Sequence, residues 1–189
     1  MWSEELEQVL FDAMSFTLKD GRAAVLRLPE PEDAEVMVQY LADTAAETEF
    51  VLRYPEECHW TVEQERDLLA GFKDNPNSLM LCCFVDGRLA GNCNLQFFTQ
   101  LKWRHRASVA VALYRDFWGQ GIGTAMFRAM EQAARARGVR QMELEYIDGN
   151  ERGKALYEKM GFVKVAEHPD AVMLKDGSFR NMVYMMKVL

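Results

Sequence analysis

A glycine-rich loop between a predicted strand and a predicted helix is the feature that most limits how this chain can fold. The loop follows an apolar run and opens an alanine-rich helical segment; its sequence is Trp118-Gly119-Gln120-Gly121-Ile122-Gly123-Thr124. Glycines at alternate positions allow sharp backbone curvature and close approach of another molecule. The helix start adds unpaired N–H groups and a positive dipole end, which bind anions. The loop therefore predicts a seat for a phosphorylated cofactor at a strand–helix junction.

Two common phosphate-binding motifs do not fit this loop. The dinucleotide fingerprint Gly-x-Gly-x-x-Gly fails because Thr124 and Met126 stand three residues after Gly121 and Gly123. That fingerprint also normally opens the first strand–helix unit of a domain, whereas more than a hundred residues precede this loop. A Walker-type loop ends in Gly-Lys-Ser/Thr, which this loop lacks. The spacing therefore argues against a nicotinamide-dependent dehydrogenase and against a Walker-type nucleotide site.

Composition and charge narrow the class of protein further. Of the 189 residues, 49% are hydrophobic and 27% are charged, which is ordinary for one globular domain with a substantial core. No run approaches the roughly 20 apolar residues of a membrane span, and Glu4, Glu5 and Glu7 occupy the place of a basic signal-peptide region. The formal net charge of −7 disfavours a nucleic-acid surface and mildly favours cationic or neutral substrates. We therefore expect a cytoplasmic protein that binds neither nucleic acid nor membrane.

Cysteine and histidine do not indicate a metal site or a thiol nucleophile. The three histidines are scattered, and three of the four cysteines lie in apolar runs without paired metal-ligand spacing. The cysteines are Cys58, Cys82, Cys83 and Cys93. Because free cysteine is so often buried, we expect all four to be reduced core residues.

The order of predicted elements indicates one mixed sheet flanked by helices. The first half contains, in order, a helix-compatible segment over 3–14, a hairpin over 16–27 turning at Asp20-Gly21, a helix starting at Glu32 and Asp33, a helix capped by Thr61 and Gln64, a hairpin over 79–98 and a strand over 107–113. The second half contains a helix over 124–137, a strand over 139–147, a helix over 151–160, a strand from Phe162 and a last hairpin turning at Asp176-Gly177. Strands that alternate with helices imply parallel pairing within an otherwise antiparallel sheet. We expect an α+β domain over 1–189, with 1–21 as an N-terminal extension.

A second pattern follows the glycine loop at a suitable distance, and it reads Asn150-x-x-Gly153-x-x-Leu156-Tyr157-x-x-x-Gly161-Phe162. Together with the loop, this pattern resembles the GNAT superfamily of acetyl-CoA-dependent N-acetyltransferases, closely over 79–162 and in element order outside that range. The resemblance implies a GNAT fold with a splayed parallel strand pair and acetyl-CoA as cosubstrate without a metal. It also implies direct attack of a primary amine within a ternary complex.

The resemblance also implies which residues contact the cofactor. In that family the glycine loop, here 118–124, binds the pyrophosphate of coenzyme A through backbone amides. The strand 111–113 would separate from its neighbour, so that its main chain pairs with the pantetheine arm and an N–H near Leu113 faces the thioester oxygen. Asn150 has two compatible interpretations, a cap of the following helix and a contact with the cofactor arm. Trp118 replaces the usual Gln or Arg, and we expect this to change packing more than binding.

Tyr157 and Glu145 are the predicted catalytic residues. By resemblance, Tyr157 protonates the departing thiolate, although it could simply be a half-buried aromatic residue on a helix. Glu145 stands five residues before Asn150 and twelve before Tyr157, similar to the base–acid spacing in the ribosomal-protein alanine acetyltransferases. Glu143 and Glu145 share one face of a strand, which indicates either a wet cleft or a solvated sheet edge. We predict Glu145 as the general base, acting directly or through water.

The acceptor is less defined by the sequence. Residues 48–59 form either a substrate loop or an ordinary helix connection, and Glu49 and Glu56 in it, with Glu143, are predicted to contact the acceptor. Solvated glutamates are the alternative. The basic cluster 102–106 either binds a carboxylate or phosphate or belongs to a solvated loop. The acceptor is a small-molecule amine or a protein N-terminus or lysine. The competing hypothesis is a non-catalytic acyl-CoA-binding sensor or interaction module. Exposed strand edges could support a homodimer.

Overall fold

The computed structural model describes residues 11–73 and 75–189, which form an eight-stranded sheet with four helices. The strands are β1 (Met14–Thr17), β2 (Ala23–Arg27), β3 (Ser78–Val85), β4 (Arg88–Phe97), β5 (Arg106–Leu113), β6 (Gln141–Ile147), β7 (Val163–Met173) and β8 (Phe179–Val188). The helices are α1 (Ala34–Glu47), α2 (Val62–Lys73), α3 (Ile122–Ala136) and α4 (Glu151–Lys159). The strand order is β1-β2-β3-β4-β5-β6-β8-β7, and the single parallel pair is β5 with β6. This arrangement confirms the predicted α+β fold class.

The N-terminal segment enters the sheet earlier than its helix-compatible sequence predicts. Residues 1–10 of that segment lie outside the described residues, 11–13 are irregular, and β1 begins at Met14. The predicted hairpin is present, since β1 pairs antiparallel with β2 and its turn contains Gly21 at φ 91°. The described part of the predicted extension thus supplies the edge strand β1.

The two predicted helix starts differ in their capping. At α2, Thr61 N–H donates to Gln64 Oε1 at 2.9 Å and Gln64 N–H donates to Thr61 Oγ1 at 3.2 Å, which confirms the capping box. At α1, a single 3-10 turn precedes the helix, and the Asp33 carboxylate accepts hydrogen bonds from Arg27 at 2.7 and 2.8 Å. Asp33 therefore anchors the turn to β2 and is not a residue of the helix.

The parallel pair β5–β6 separates soon after it forms. Pairing connects Arg106 through Ser108 with residues 141–143 and then stops. Beyond that point β5 pairs only with β4, and β6 pairs with β8 over its full length. The separation leaves an open gap beside 109–113 and confirms the predicted splayed pair. A second parallel pair does not form, because β8 lies between β6 and β7.

The helices cover the two faces of the sheet differently. The Tyr40 hydroxyl of α1 donates to Asn92 Oδ1 at 2.9 Å, which places α1 on the face that carries Asn92. The ring of Tyr157 in α4 contacts that of Tyr146 at 5.6 Å, and Phe127 of α3 contacts Tyr157 at 5.8 Å. Register places Tyr146 on the opposite face from Asn92. The sheet therefore lies between α1 on one side and α3 with α4 on the other.

The cysteines divide into two groups. Cys82, Cys83 and Cys93 are buried in β3 and β4, and burial raises the pKa of Cys82 and of Cys83 to about 12. Thiols with such pKa values are poor nucleophiles at neutral pH. Cys58 differs from the prediction, since it lies half-buried in the α1–α2 connection with Sγ 3.6 Å from Leu41 O. Among the residues described, no helix is long and apolar enough to cross a membrane.

Candidate active site

A cavity of about 330 Å³ lies where the β5–β6 gap meets the glycine loop. Its walls include β5 at 111–113, the glycine loop, and α4 at Asn150, Leu156 and Tyr157. Thr44 and Phe50 line it from α1 and from the connection after α1. Because α1 and α4 pack on opposite faces of the sheet, a cavity lined by both passes through the gap between the strands.

The backbone of the glycine loop explains two of its glycines. Gly119 has φ 77° and Gly121 has φ 100°, a left-handed conformation that side chains with a Cβ rarely adopt. Gly121 is the N-cap of α3, and no atom lies within 4 Å of the position where its Cβ would be. The loop amides and the first N–H groups of α3 therefore adjoin open space, as an anion seat requires.

The third glycine of the loop has a different purpose. Gly123 lies inside α3, which begins two residues before the predicted start at Thr124. A Cβ at Gly123 would be 2.7 Å from Leu156 Cδ2. Gly123 therefore permits the close packing of α3 against α4 that forms one wall of the cavity.

Trp118, the departure from the family pattern, ties the loop to β5. Its indole Nε1–H donates to Leu113 O at 2.9 Å, and the guanidinium groups of Arg115 and Arg152 lie 5.5 and 5.1 Å from its ring centroid. The Leu113 carbonyl therefore already has a hydrogen-bond partner, although the family resemblance implies that main-chain groups of this strand are free. The alternation of strand peptides still directs the Leu113 N–H toward the gap.

Asn150 caps α4, and its side chain also lines the cavity. Its Oδ1 accepts from Gly153 N–H at 2.9 Å, so the capping interpretation is correct. A Cβ at Gly153 would be 2.7 Å from Asn150 Nδ2 and 2.9 Å from its Cγ. Glycine at position 153 thus leaves room for the capping side chain.

Replacing Gly153 tests this arrangement. Gly153→Ala should displace the Asn150 side chain and remove its cap, a loss of about 1 kcal/mol in unfolding free energy that cancels the gain of about 1 kcal/mol from Ala in place of Gly within a helix. Its melting temperature should therefore stay within about 2 °C of the wild type. The control is Gly71→Ala in α2, where no atom lies within 4 Å of the new Cβ, so that its melting temperature should rise by roughly 2–4 °C. A melting temperature that rises as much in Gly153→Ala as in Gly71→Ala would contradict the capping role.

Tyr157 lies half-buried where the cavity meets α4. Its ring packs edge-on against Phe127 and tilted against Tyr146. Burial, with a smaller contribution from Tyr146, raises the pKa of Tyr157 to about 12. Its phenol therefore remains protonated at neutral pH and can donate a hydrogen bond or a proton into the cavity.

Glu145 lies on the other face of the sheet from Tyr157. It is exposed, pairs in register with Tyr184 of β8, and is not among the residues that line the cavity. Successive strand residues point to opposite faces, so Glu145 points away from Tyr146 and its contact Tyr157. The two predicted catalytic residues thus approach the gap from opposite sides.

The three carboxylates predicted to contact the acceptor are all in ion pairs. Glu143 accepts from Arg106 Nε at 3.0 Å, and Arg180 Nη2 lies 3.8 Å from Glu49. Lys175 pairs with Glu56, where it lowers the pKa of that carboxyl, and its ammonium lies 4.4 Å from the ring centroid of Tyr54. Glu49 and Glu56 therefore connect the α1–α2 loop to the β7–β8 hairpin.

Several lining residues were missed by sequence reasoning. Lys19 from the β1–β2 turn, Arg152 and Lys159 from α4, and Thr44 and Phe50 around the end of α1 all border the cavity. Arg152 and Lys159 lie inside the 150–162 pattern, so their positive charge next to a predicted phosphate site could have indicated them as binding residues. Lys19 has no local signal, because its place depends on how the hairpin packs. The described residues contain no cluster of three His, Cys, Asp or Glu that could hold a metal ion.

Comparison with models of known protein families identifies the family of this chain. The model of the Acetyltransferase (GNAT) family matches residues 37–162, which are 126 of the 189 residues. The chain therefore belongs to the GNAT acetyltransferase family, as the glycine loop and the 150–162 pattern predict.

Individual proteins show the same likeness. YycN of Bacillus subtilis (strain 168), called an uncharacterized N-acetyltransferase, is 35% identical over 63 residues, which span 33% of this chain and only 38% of YycN. A GNAT-family acetyltransferase from Streptococcus pneumoniae superposes with a TM-score of 0.82 at 24% identity, covering 88% of this chain and 99% of that one. The structure of yncA from Salmonella typhimurium with its cofactor acetyl-CoA superposes with a TM-score of 0.75 at 15% identity, covering 88% and 94%. At these identities the two solved structures establish the fold.

Proposed function

We propose that this protein transfers an acetyl group from acetyl-CoA to a primary amine. The observation that carries the proposal is the cavity that runs from the glycine loop through the β5–β6 gap to Tyr157. An extended thioester cofactor needs an anion seat at one end and a route to the acceptor at the other. Family membership supports this assignment, as does the acetyl-CoA complex of yncA on the same fold.

The cofactor would be held mainly by the main chain. The amides of residues 119–124 receive the pyrophosphate at the start of α3. The open side of β5 at residues 109–113 offers N–H and C=O groups to the pantetheine amides, in place of the β6 partners it lacks. Asn150 contacts the pantetheine arm in the cavity. The Leu113 N–H stabilises the thioester oxygen as negative charge develops on that oxygen.

The chemistry is a direct attack of the amine on the thioester. The amine nitrogen bonds to the carbonyl carbon and loses a proton to Glu145, directly or through water. The intermediate collapses, the C–S bond breaks, and the sulfur takes a proton from the Tyr157 hydroxyl. Glu145 then releases its proton to solvent and the tyrosinate takes one up, so the net products are an N-acetyl amine and free coenzyme A. The placement of Glu145 and Tyr157 on opposite faces lets the two proton transfers proceed on opposite sides of the reacting carbon.

The acceptor would approach on the face that carries Glu145. The Glu143–Arg106 pair lies on the same face, and the ion-paired α1–α2 loop and β7–β8 hairpin border it. An acidic chain with an exposed carboxylate near the gap favours a cationic or neutral amine, either a small molecule or a protein N-terminus or lysine. We also propose a cytoplasmic location and a homodimer formed through the edge strands.

The competing function is a module that binds acyl-CoA without turnover. A screen of acetyl transfer across an amine library distinguishes the two, with free coenzyme A thiol as the readout. The enzyme hypothesis expects thiol release that depends on the amine. Saturable binding of acetyl-CoA with no release for any amine would favour the module. A melting temperature raised by NAD and not by acetyl-CoA would favour a dehydrogenase.

Glu145 is tested by its effect on the pH profile. Glu145→Gln should lower kcat/KM by about 100-fold near neutral pH, because a carboxamide cannot accept the amine proton. The measurement is kcat/KM between pH 5.5 and 9 with the best amine from the screen, with Glu63→Gln on the exposed surface of α2 as the matched control. A profile that Glu145→Gln leaves unchanged would exclude Glu145 as the base.

A further inference from the structure

The cavity wall is cationic, although the chain as a whole is acidic. Three basic side chains line it, those of Lys19, Arg152 and Lys159, and no acidic residue of the described chain does. This contrasts with a chain that has 29 acidic and 22 basic residues. The glycine loop already supplies backbone amides for a pyrophosphate, so these cations indicate a further anionic group on the ligand.

Lys19 reaches the cavity because the β1–β2 turn rests on the glycine loop. Lys19 N–H donates to Gln120 O at 3.2 Å, and Asp20 N–H donates to Gln120 Oε1 at 3.2 Å. Leu18, directly before the turn, is buried in the core at 3% exposure, which fixes the base of the turn. The hairpin is therefore joined to the loop at a defined position.

The charge of Lys19 is available to a ligand. Lys19 is exposed, and within the described residues no carboxylate forms an ion pair with it. The neighbouring Asp20 is already engaged, because Arg22 lies 2.7 Å from its carboxylate and lowers its pKa. Because Asp20 pairs with Arg22, its carboxylate does not neutralise the Lys19 ammonium.

The other two cations contact different parts of the loop. The Arg152 guanidinium lies 5.1 Å from the Trp118 ring centroid, and its Nη1 is 3.8 Å from where a Cβ of Gly119 would be. Lys159 Nζ donates to Thr124 Oγ1 at 3.3 Å, beside the first turn of α3. Arg152 therefore adjoins the first residues of the loop, as Lys19 does through Gln120, whereas Lys159 lies by the helix start.

We propose that Lys19 and Arg152, which both line the cavity beside the first residues of the loop, form a subsite for the 3′-phosphate of coenzyme A. This inference rests on the proposed use of acetyl-CoA. The 3′-phosphate is the one anionic group of the cofactor that the loop amides do not address. Near neutral pH such a phosphate monoester carries between one and two negative charges. A lysine ammonium can bind it as a compact positive charge. The N-terminal hairpin therefore contributes to selection between coenzyme A and ligands that lack this phosphate.

The test compares coenzyme A with 3′-dephospho-coenzyme A by isothermal titration calorimetry at low salt. The wild type should bind coenzyme A at least roughly tenfold more tightly, since a contact between charged groups is worth about one such factor. Lys19→Gln should lose roughly tenfold in affinity for coenzyme A and keep its affinity for the dephospho form. The control variant Arg66→Gln, on the exposed surface of α2 and outside the cavity lining, should bind both like the wild type.

Two results would overturn the subsite. If Lys19→Gln lost equal affinity for both ligands, Lys19 would contact another part of the cofactor. If it lost affinity for neither, Lys19 would not take part in binding. Both outcomes leave the proposed acetyl-CoA function intact, because the wild type still binds coenzyme A. A wild type that binds neither form would reject the proposed function and the subsite together.

Discussion

Tyr157→Phe should reduce turnover by about 100-fold while leaving the affinity for acetyl-CoA nearly unchanged. General acid catalysis contributes about a hundredfold or more to rate. The substitution removes only the hydroxyl and keeps the ring that packs against Phe127 and Tyr146. The melting temperature should therefore stay within about 2 °C of the wild type. Steady-state kinetics and calorimetric titration with acetyl-CoA measure both effects, and unchanged turnover would exclude Tyr157 as the acid.

The raised pKa of Tyr157 adds a pH dependence to this prediction. A phenol with a pKa of about 12 loses its proton only as the pH rises through that value, so the acid form is fully present throughout the range from 7 to 10. The kcat of the wild type should therefore show no alkaline limb between pH 8 and 10 arising from Tyr157. An alkaline limb in that range that disappears in Tyr157→Phe would contradict the raised pKa of Tyr157 and not its role as the acid.

The high pKa also limits how the proton is transferred. A coenzyme A thiol resembles cysteine, with a pKa near 8.5, so complete transfer from Tyr157 to a free thiolate is uphill by roughly 3.5 pKa units, or about 5 kcal/mol. A hydrogen bond from the Tyr157 hydroxyl that strengthens as the C–S bond breaks stabilises the developing charge on sulfur, and the collapse of the intermediate drives the proton transfer that is coupled to it. We therefore expect Tyr157 to act during the collapse of the intermediate and not after it.

Gly91→Ala should cause the largest loss of stability of any substitution considered. A Cβ at position 91 would be 2.4 Å from Ala112 O and from Leu113 Cδ2, and 2.9 Å from Leu113 Cα. Two of these atoms belong to the backbone of β5 and cannot move aside as a side chain can. Overpacking of this kind costs about 3 kcal/mol, which lowers the melting temperature by roughly 6–12 °C.

The same substitution should also reach the active site. Displacing Leu113 moves the carbonyl to which Trp118 donates and the N–H that we propose as the donor to the thioester oxygen. The folded fraction of Gly91→Ala should therefore bind acetyl-CoA more weakly than the wild type, as measured by titration well below its melting temperature. Gly71→Ala is again the matched control, since its Cβ meets nothing within 4 Å. A melting temperature for Gly91→Ala within 2 °C of the wild type would contradict this packing.

Local patterns in the sequence predicted the parts of the fold that depend on short-range chemistry. The glycine loop, the Thr61–Gln64 capping box, the Asn150 cap and the hairpin turns each depend on neighbouring residues, so their sequences sufficed. The splayed pair followed from the family resemblance. Of these features, the glycine loop, Asn150 and the open side of β5 line the cavity of the candidate site.

Features that depend on distant packing could not be predicted in this way. The placement of β8 between β6 and β7 is a matter of sheet topology, and Lys19 reaches the cavity only because a hairpin a hundred residues away packs on Gln120. The bond from Trp118 to Leu113 required the geometry of both segments. No local sequence pattern marks Gly91. Only glycine fits there because the backbone of β5 lies where a Cβ would be. Ion pairing of Glu49 and Glu56 likewise depends on the β7–β8 hairpin.

The most direct test of the proposed activity follows the acetyl group itself. The purified protein is incubated with isotopically labelled acetyl-CoA and the best amine from the screen, and mass spectrometry quantifies the labelled N-acetyl amine while a thiol reagent quantifies coenzyme A. Our account predicts one N-acetyl amine for each coenzyme A released, both dependent on the amine and both reduced about 100-fold in Tyr157→Phe. Binding of acetyl-CoA without any labelled N-acetyl amine would contradict it.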